Sequence, residues 1–269
     1  MITILLDDTG ISPRVQTALA QADALVDRGH EVRIVTTADA PVSWRSSRAR
    51  WEFVDKLRPA GEGIVLDTAF PWNRFVTVDD GMFRARLPRE SEPLRVLLSG
   101  PSQSEVCGIH DGYGAVAHAR WFHQKLDLIR ASPWAPGRDE PLDSVQEFHV
   151  SLSTPETTRL MHSCDVLIAP SHRSEEFGLA AAEGLAAGVA AAMTSIPVYR
   201  AFDAKDDFAL FAPEDNAVEL GEKLIELLSD AGLRQRLRTR GREVAERWRA
   251  PRVAEHLEKF LYDRPASAV

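Results

Sequence analysis

Glu175 and Glu183 bracket the part of this 269-residue chain best suited to chemistry. They stand in Asp165-Val-Leu-Ile-Ala-Pro-Ser-His-Arg-Ser-Glu-Glu-Phe-Gly-Leu-Ala-Ala-Ala-Glu-Gly-Leu-Ala-Ala-Gly188, which reads as a strand, a short polar loop and a helix rich in small residues. A carboxylate accepts hydrogen bonds from paired hydroxyls, so a glutamate before the helix and another inside it suit a sugar ring and a ribose diol. At 1.5 Å per helical residue, the two acids would lie on the order of 10 Å apart. The start of a helix at the carboxyl end of a parallel strand offers backbone N–H groups and partial positive charge to a diphosphate, and Gly178 lets a ligand approach the backbone. Gly100 and Gly108, followed by Gly112 and Gly114, form a second flexible loop ahead of a helix. Such glycines either supply backbone donors or answer only to sterics. Arg173 has two readings, a cation for the diphosphate or a solvated loop arginine. For Ala180 to Ala182, Ala186 and Gly188 the reading is close helix-to-sheet packing.

These residues need a scaffold, and the apolar pattern supplies one. Residues 2–6 read as a buried strand, residues 13–28 as an amphipathic helix stopped by Gly29, and residues 31–37 as a second strand, together a βαβ unit. Residues 40–58, with Trp44 and Trp51 among basic residues, read as an amphipathic helix suited to an interface or partner. Short strands are expected near 63–66 and 74–78, and a polar linker over 79–93. From Leu94 onward, strands at 94–99, 126–131, 147–152, 165–169, 189–194 and 207–211 alternate with helical patterns, the mark of a doubly wound α/β domain. Thr154 followed by Pro155 reads as a helix N-cap with proline at the first position. Three helices are expected over 216–261. The division expected is 1–93 and 94–269.

Composition closes off several classes. A net charge of -8 leaves no basic footprint for nucleic acid. The N-terminus has no basic segment or cleavage signal, and no apolar run is long enough to span a bilayer, so a cytoplasmic protein is expected. Cys107 and Cys164 are too few for a disulfide framework and read as thiols. Asp7-Asp8 and Asp79-Asp80 read as acidic turns rather than metal ligands, and the histidines show no ligand spacing. The arginines between Arg234 and Arg252 read mostly as a solvated face, with peripheral contact to a membrane surface as the other reading.

The Glu175–Glu183 stretch, with Phe177-Gly-Leu179 between the acids, resembles the E-x7-E element of retaining family 4 glycosyltransferases (glycosyl transferases group 1). Phe148-His-Val-Ser-Leu-Ser before it, and Ala190-Ala-Ala-Met-Thr-Ser-Ile-Pro197 and Phe208-Ala-Leu-Phe-Ala-Pro-Glu-Asp after it, are similar to that family's flanking elements in the same order. The resemblance implies a GT-B-like α/β fold of two Rossmann-like lobes, the N-terminal one reduced, with a nucleotide-diphosphate sugar as donor. It implies Glu175 as the catalytic acid contacting the sugar and Glu183 on the ribose. The amides at Phe177, Gly178 and Leu179 would meet the sugar or diphosphate, and Gly10 after the first strand resembles the other side of the cleft. The reaction implied is transfer with retention to an unknown acceptor, with no cofactor and no metal. Two basic residues that the family brings to the diphosphate are missing: Gly100-Pro101 and Cys107-Gly108 stand where Gly-Arg and Lys-Gly are expected. A non-catalytic sugar-nucleotide binder or partner subunit is therefore the alternative. The reduced first lobe would leave apolar surface uncovered, so a homodimer through it is expected.

Overall fold

The computed structural model describes residues 1–57, 63–86, 93–122 and 125–262. They form two units, Met1–Asp79 with Arg247–Val269, and Asp80–Glu246. The C-terminal helix thus belongs with the start of the chain, and the second unit begins at Asp80, where the sequence pattern suggests 1–93 and 94–269. Part of the expected linker, residues 87–92, lies outside the described residues.

In the first unit, β1 (Ile2–Leu6) is buried along its whole length, Thr3 included, as befits a central parallel strand. The helix α1 (Pro13–Asp27) starts where the Ser12 hydroxyl accepts from the Val15 amide at 3.3 Å, and Gly29 ends it in a left-handed conformation. With β2 (Val32–Thr36), β3 (Arg50–Phe53) and β4 (Ile64–Leu66) it completes a four-stranded parallel sheet, order β3-β2-β1-β4.

Two expectations fail here. Residues 40–57 hold no helix; instead the Asp23 carboxylate accepts from the Ser47 hydroxyl and the Arg48 amide, pinning a turn that feeds β3. Serines that bond locally to backbone and to acids favour such turns over helix. Trp44 donates its indole N–H to the Thr9 carbonyl, and Trp51 stacks on Phe53 along β3. The strand expected over 74–78 is replaced by a 3-10 turn, Trp72–Phe75, whose buried rings pack with Phe70 and Phe260. Phe260 lies on α8 (Ala250–Tyr262), which packs on α1, and Glu258 of that helix accepts from Arg28 and meets His30 at 2.6 Å.

The second unit carries β5 (Leu94–Ser99), α2 (Ile109–Trp121), β6 (Leu126–Ser132), β7 (Glu147–Val150), α3 (Thr154–Ser163), β8 (Val166–Ala169), α4 (Leu179–Ala186), β9 (Ala190–Thr194), the short α5 (Pro197–Arg200), β10 (Leu210–Ala212), α6 (Ala217–Ser229) and α7 (Ala231–Ala245). Its six strands are parallel, in the order β10-β9-β8-β5-β6-β7. The helix α3 is capped by Ser153, not Thr154, in a capping box with Glu156, which places Pro155 second in the helix. On one face, α2 and α6 cover a core of Val96, Leu98, Leu128, Val166 and Ile168. On the other, α4 packs against α7, and the small residues bring it close to the sheet: a Cβ on Gly184 would lie 2.5 Å from Leu167.

Four arginines of α7 turn inward to partners and so depart from the solvated face expected of them. Arg234 caps the carbonyls of Leu227 and Leu228, and Arg238 reaches Asp165. Arg240 pairs with Asp203 and Asp207, and Arg242 donates to the Phe83 and Arg84 carbonyls. These four guanidinium groups are committed to the fold, and Arg236 of the same helix is exposed. Among the described residues no helix is long and apolar enough to cross one.

Candidate functional site

The strand order fixes where a ligand can sit. From β5 the chain moves outward through β6 and β7 on one side and returns through β8, β9 and β10 on the other, so β5 and β8 flank the point at which the winding reverses. Crossovers on either side of such a point leave in opposite directions and open a crevice beyond the carboxyl ends of the strands. The two loops at that crevice are residues 100–108 after β5 and residues 170–178 after β8. They contain Gly100, Gly108, Arg173, Glu175, Phe177 and Gly178.

The loops are knit together. The His172 amide donates to the Val106 carbonyl at 2.9 Å. Gly108, left-handed at φ 58°, caps α2 and lies so close to the Pro170 carbonyl that no side chain fits there. Glycine is therefore required by contact between the two loops, whatever its amide does. Gly100 holds φ 128° and packs under Cys107, whose sulfur would be 3.1 Å from a Cβ at Gly100. Burial pushes the Cys107 thiol up from its ordinary range, a bond with Ser104 opposes this, and the nearby Glu175 charge adds to it.

Glu175 sits in the loop and Glu183 in the second turn of α4, as the sequence suggests. The Glu175 Oε1 accepts from the amides of Phe177 at 2.8 Å and Gly178 at 3.0 Å, and Gly178, at φ 63°, begins the helix. Those two amides thus already hold the glutamate, and the carboxylate's second oxygen has no hydrogen bond among the described residues. Gly178 is also held by sterics, since a Cβ there would lie 2.8 Å from Phe202. Leu179 is buried as the first residue of α4, and Glu183 is only 8% exposed. Near Glu175, Tyr199 donates to the Ser171 hydroxyl at 2.9 Å, and burial drives the phenol far above its usual range.

Arg173 is 79% exposed, its guanidinium pairs with Glu214, and its amide donates to the same carboxylate at 2.8 Å. Gly10 belongs to the first unit, where its amide donates to the Asp8 carboxylate at 2.7 Å. Asp7 pairs with Arg14, and both cysteines are free thiols.

Two constellations have no counterpart in the sequence reading. His172 faces Asp215 through Nδ1 at 3.0 Å and Asp111 through Nε2 at 3.7 Å. One atom from each residue could hold a metal ion. The imidazole thus stands between two carboxylates, one on each ring nitrogen, and the 3.7 Å contact with Asp111 is too long for a hydrogen bond. The second constellation is a buried ion pair, Arg130 with Glu140 at 2.8 Å, below the β5–α2 loop. Glu140 also accepts from the hydroxyls of Ser102 at 2.6 Å and Tyr113 at 2.9 Å. Burial pushes the Glu140 carboxyl up, but the bonds from Ser102, Arg130 and Tyr113 outweigh it and hold the group below its ordinary range. Burial, with the Glu140 bond, raises the Tyr113 phenol to about 12. The partners come from different elements, so no local motif announces either cluster.

Comparison with known proteins bears on this geometry. Residues 140–244 match the family described as glycosyl transferases group 1, a span that includes β7 through α7 and both glutamates. Among solved structures, the chain superposes on a glycosyltransferase from Rickettsia africae ESF-5 with a TM-score of 0.74 at 12% identity, covering 99% of each chain. WaaG, a glycosyltransferase involved in lipopolysaccharide biosynthesis, gives 0.72 at 13% identity, covering 98% of this chain and 100% of that one. HepE of Anabaena, solved with UDP and glucose, gives 0.72 at 10% identity over 98% of this chain and 99% of its own. A comparison with curated proteins finds no match. At these identities the structural likeness establishes the fold, which is GT-B. The match over 140–244 supports a sugar-transferring function for the second unit.

Proposed function

We propose that the protein is a retaining family 4 glycosyltransferase whose second unit binds a nucleotide-diphosphate sugar at the carboxyl ends of β5 and β8. The observation that carries this reading is the placement of Glu175 and Glu183 at the winding reversal, inside the segment matching the group 1 family. Glu183 takes the ribose diol and the outer oxygen of Glu175 takes the sugar hydroxyls. The diphosphate lies against the loop after β5 and the first turn of α2, where the N–H groups at a helix start have no intrahelical partner. The bond between the anomeric carbon and the diphosphate oxygen breaks, an acceptor hydroxyl bonds to the same carbon, and its proton leaves with the diphosphate. Glu175 positions the sugar while this occurs, so the protein forms no covalent intermediate. In this reading the first unit is a reduced acceptor-side lobe, and a cytoplasmic homodimer forms through it.

A second reading has its own support. Arg173 is spent on Glu214, and Cys107 stands where the resemblance expects lysine, so less positive charge meets the leaving diphosphate than transfer ordinarily uses. A protein of this kind would bind sugar nucleotides without turning them over. A thermal-shift screen across nucleoside diphosphates and their sugars, followed by assay of free nucleoside diphosphate, tests both readings. Stabilisation with release supports the transferase, and stabilisation alone the binder. No shift with any of them would overturn both.

A further inference from the structure

We propose that Arg130 is a positioning residue for this site, holding the loop after β5 in its binding shape from beneath and, through Glu140, tying it to the segment after β6. The proposal rests on the reading of that loop as the diphosphate side of a sugar-nucleotide site.

Arg130 is fully buried on β6, where it follows the core residues Leu128 and Ile129. An isolated buried charge is strongly disfavoured, so its bonds must account for its presence. Their destinations are specific. Nη1 donates to the Leu98 carbonyl at 2.5 Å and Nη2 to the Gly100 carbonyl at 2.9 Å, while Nε goes to Glu140 at 2.8 Å. Glu140 then accepts from the Ser102 hydroxyl at 2.6 Å and the Gly137 amide at 3.2 Å. The guanidinium is further fixed between the rings of Tyr113 and Phe148, 5.8 and 5.3 Å from their centroids.

Two of the donors therefore meet the chain where it leaves the sheet, at Leu98 near the end of β5 and at Gly100 just beyond it. At Gly100 the chain leaves the sheet with φ 128°, a conformation open to few residues, and the Arg130 bond fixes the carbonyl of that residue. Loop donors stabilise an anion best when they are held in place before it arrives. Glu140 neutralises the guanidinium, so Arg130 acts on the loop's shape and not by attracting the diphosphate through space.

The test is calorimetric titration of the full chain with UDP and with GDP at two salt concentrations, with a melting curve for every variant. Ser102→Ala removes one tie to Glu140 at the loop and leaves the buried pair in place. It should weaken affinity about threefold to tenfold, with the salt dependence of binding unchanged. Arg130→Met should weaken it by about tenfold or more, and Arg130→Lys should restore part of the loss. Affinity measured well below the melting temperature separates positioning from mere stability, because a purely structural role lowers the melting temperature and leaves the folded protein's affinity alone. Folded Ser102→Ala with wild-type affinity overturns the proposal, and it decides the matter even if Arg130→Met does not fold. If wild type binds UDP or GDP and the variants match it, only this inference falls. If wild type binds neither, the reading of the site falls and takes the inference with it.

Discussion

Replacing Glu175 by alanine and by glutamine separates its structural work from its chemistry. Its Oε1 accepts from the amides of Phe177 and Gly178 at 2.8 and 3.0 Å, holding the turn from which α4 begins. Bonds to a charged acceptor contribute about 1.5 to 3 kcal/mol when sheltered; in this half-buried loop about 1 kcal/mol each is a better figure, so Glu175→Ala should cost about 2 kcal/mol. For units of this size that lowers the melting temperature by about 4 to 8 °C. Glutamine keeps an oxygen that can accept both bonds and loses only the charge, so Glu175→Gln should melt within about 2 to 4 °C of wild type. Both variants should lose transfer by about a hundredfold, because the sugar is no longer held where the diphosphate departs. The measurements are circular-dichroism melts and release of nucleoside diphosphate in the presence of acceptor. A glutamine variant that transfers at the wild-type rate would refute the catalytic assignment, and an alanine variant that melts with wild type would refute the capping role.

Other consequences are as direct. The Glu258 carboxyl is lowered from an ordinary 4.5 to about 2, first by the bond from Arg28 and then by His30. Being more acidic in the folded chain, it stabilises fully above the unfolded value and loses that contribution as pH falls toward 2. Melts of wild type and Glu258→Gln should therefore differ at neutral pH and converge in acid; parallel curves would contradict the linkage. Cys107→Lys should lower the melting temperature without tightening nucleoside diphosphate binding, because the thiol packs toward Gly100 and the core. Tighter binding that salt erodes would show instead that position 107 faces the ligand. The edge strand β3, with Trp51 stacked on the exposed Phe53, is the surface on which self-association through the first unit is expected. Sedimentation at about tens of micromolar should show a dimer, and a monomer there would refute it.

The parts of the fold that were legible are those where burial leaves one solution. Predominantly apolar runs such as residues 2–6, 96–98 and 166–169 leave no polar face and fit central parallel strands. The βαβ start and the α4 segment were equally plain, since Gly29 and Gly178 punctuate them. Residues 40–57 depart from the helix their pattern suggests because the spacing of Trp44 and Trp51 imitates a helix face. Serine bonds to Asp23 and pairing with β2 decide the conformation, and neither is visible in local periodicity. The helix α8 looked like the third of a series and belongs with α1, through contacts such as Arg28 with Glu258 that only tertiary structure creates. At the site, the two glutamates stood out by spacing. Arg130, Glu140 and the His172 cluster did not, for each is completed by residues on other elements, and a buried arginine in a strand reads as an interruption until its partners are seen.

The central claim is that Glu175 and Glu183 divide a sugar nucleotide between them, the first on the sugar and the second on the ribose. Titrating Glu175→Ala and Glu183→Ala with a nucleoside diphosphate and with the same nucleotide carrying its sugar tests it most directly. The account predicts that Glu183→Ala weakens both ligands by about tenfold or more, the loss of a charged hydrogen-bond pair. Glu175→Ala should weaken chiefly the sugar-bearing ligand. Equal, small effects of both changes on both ligands would contradict it.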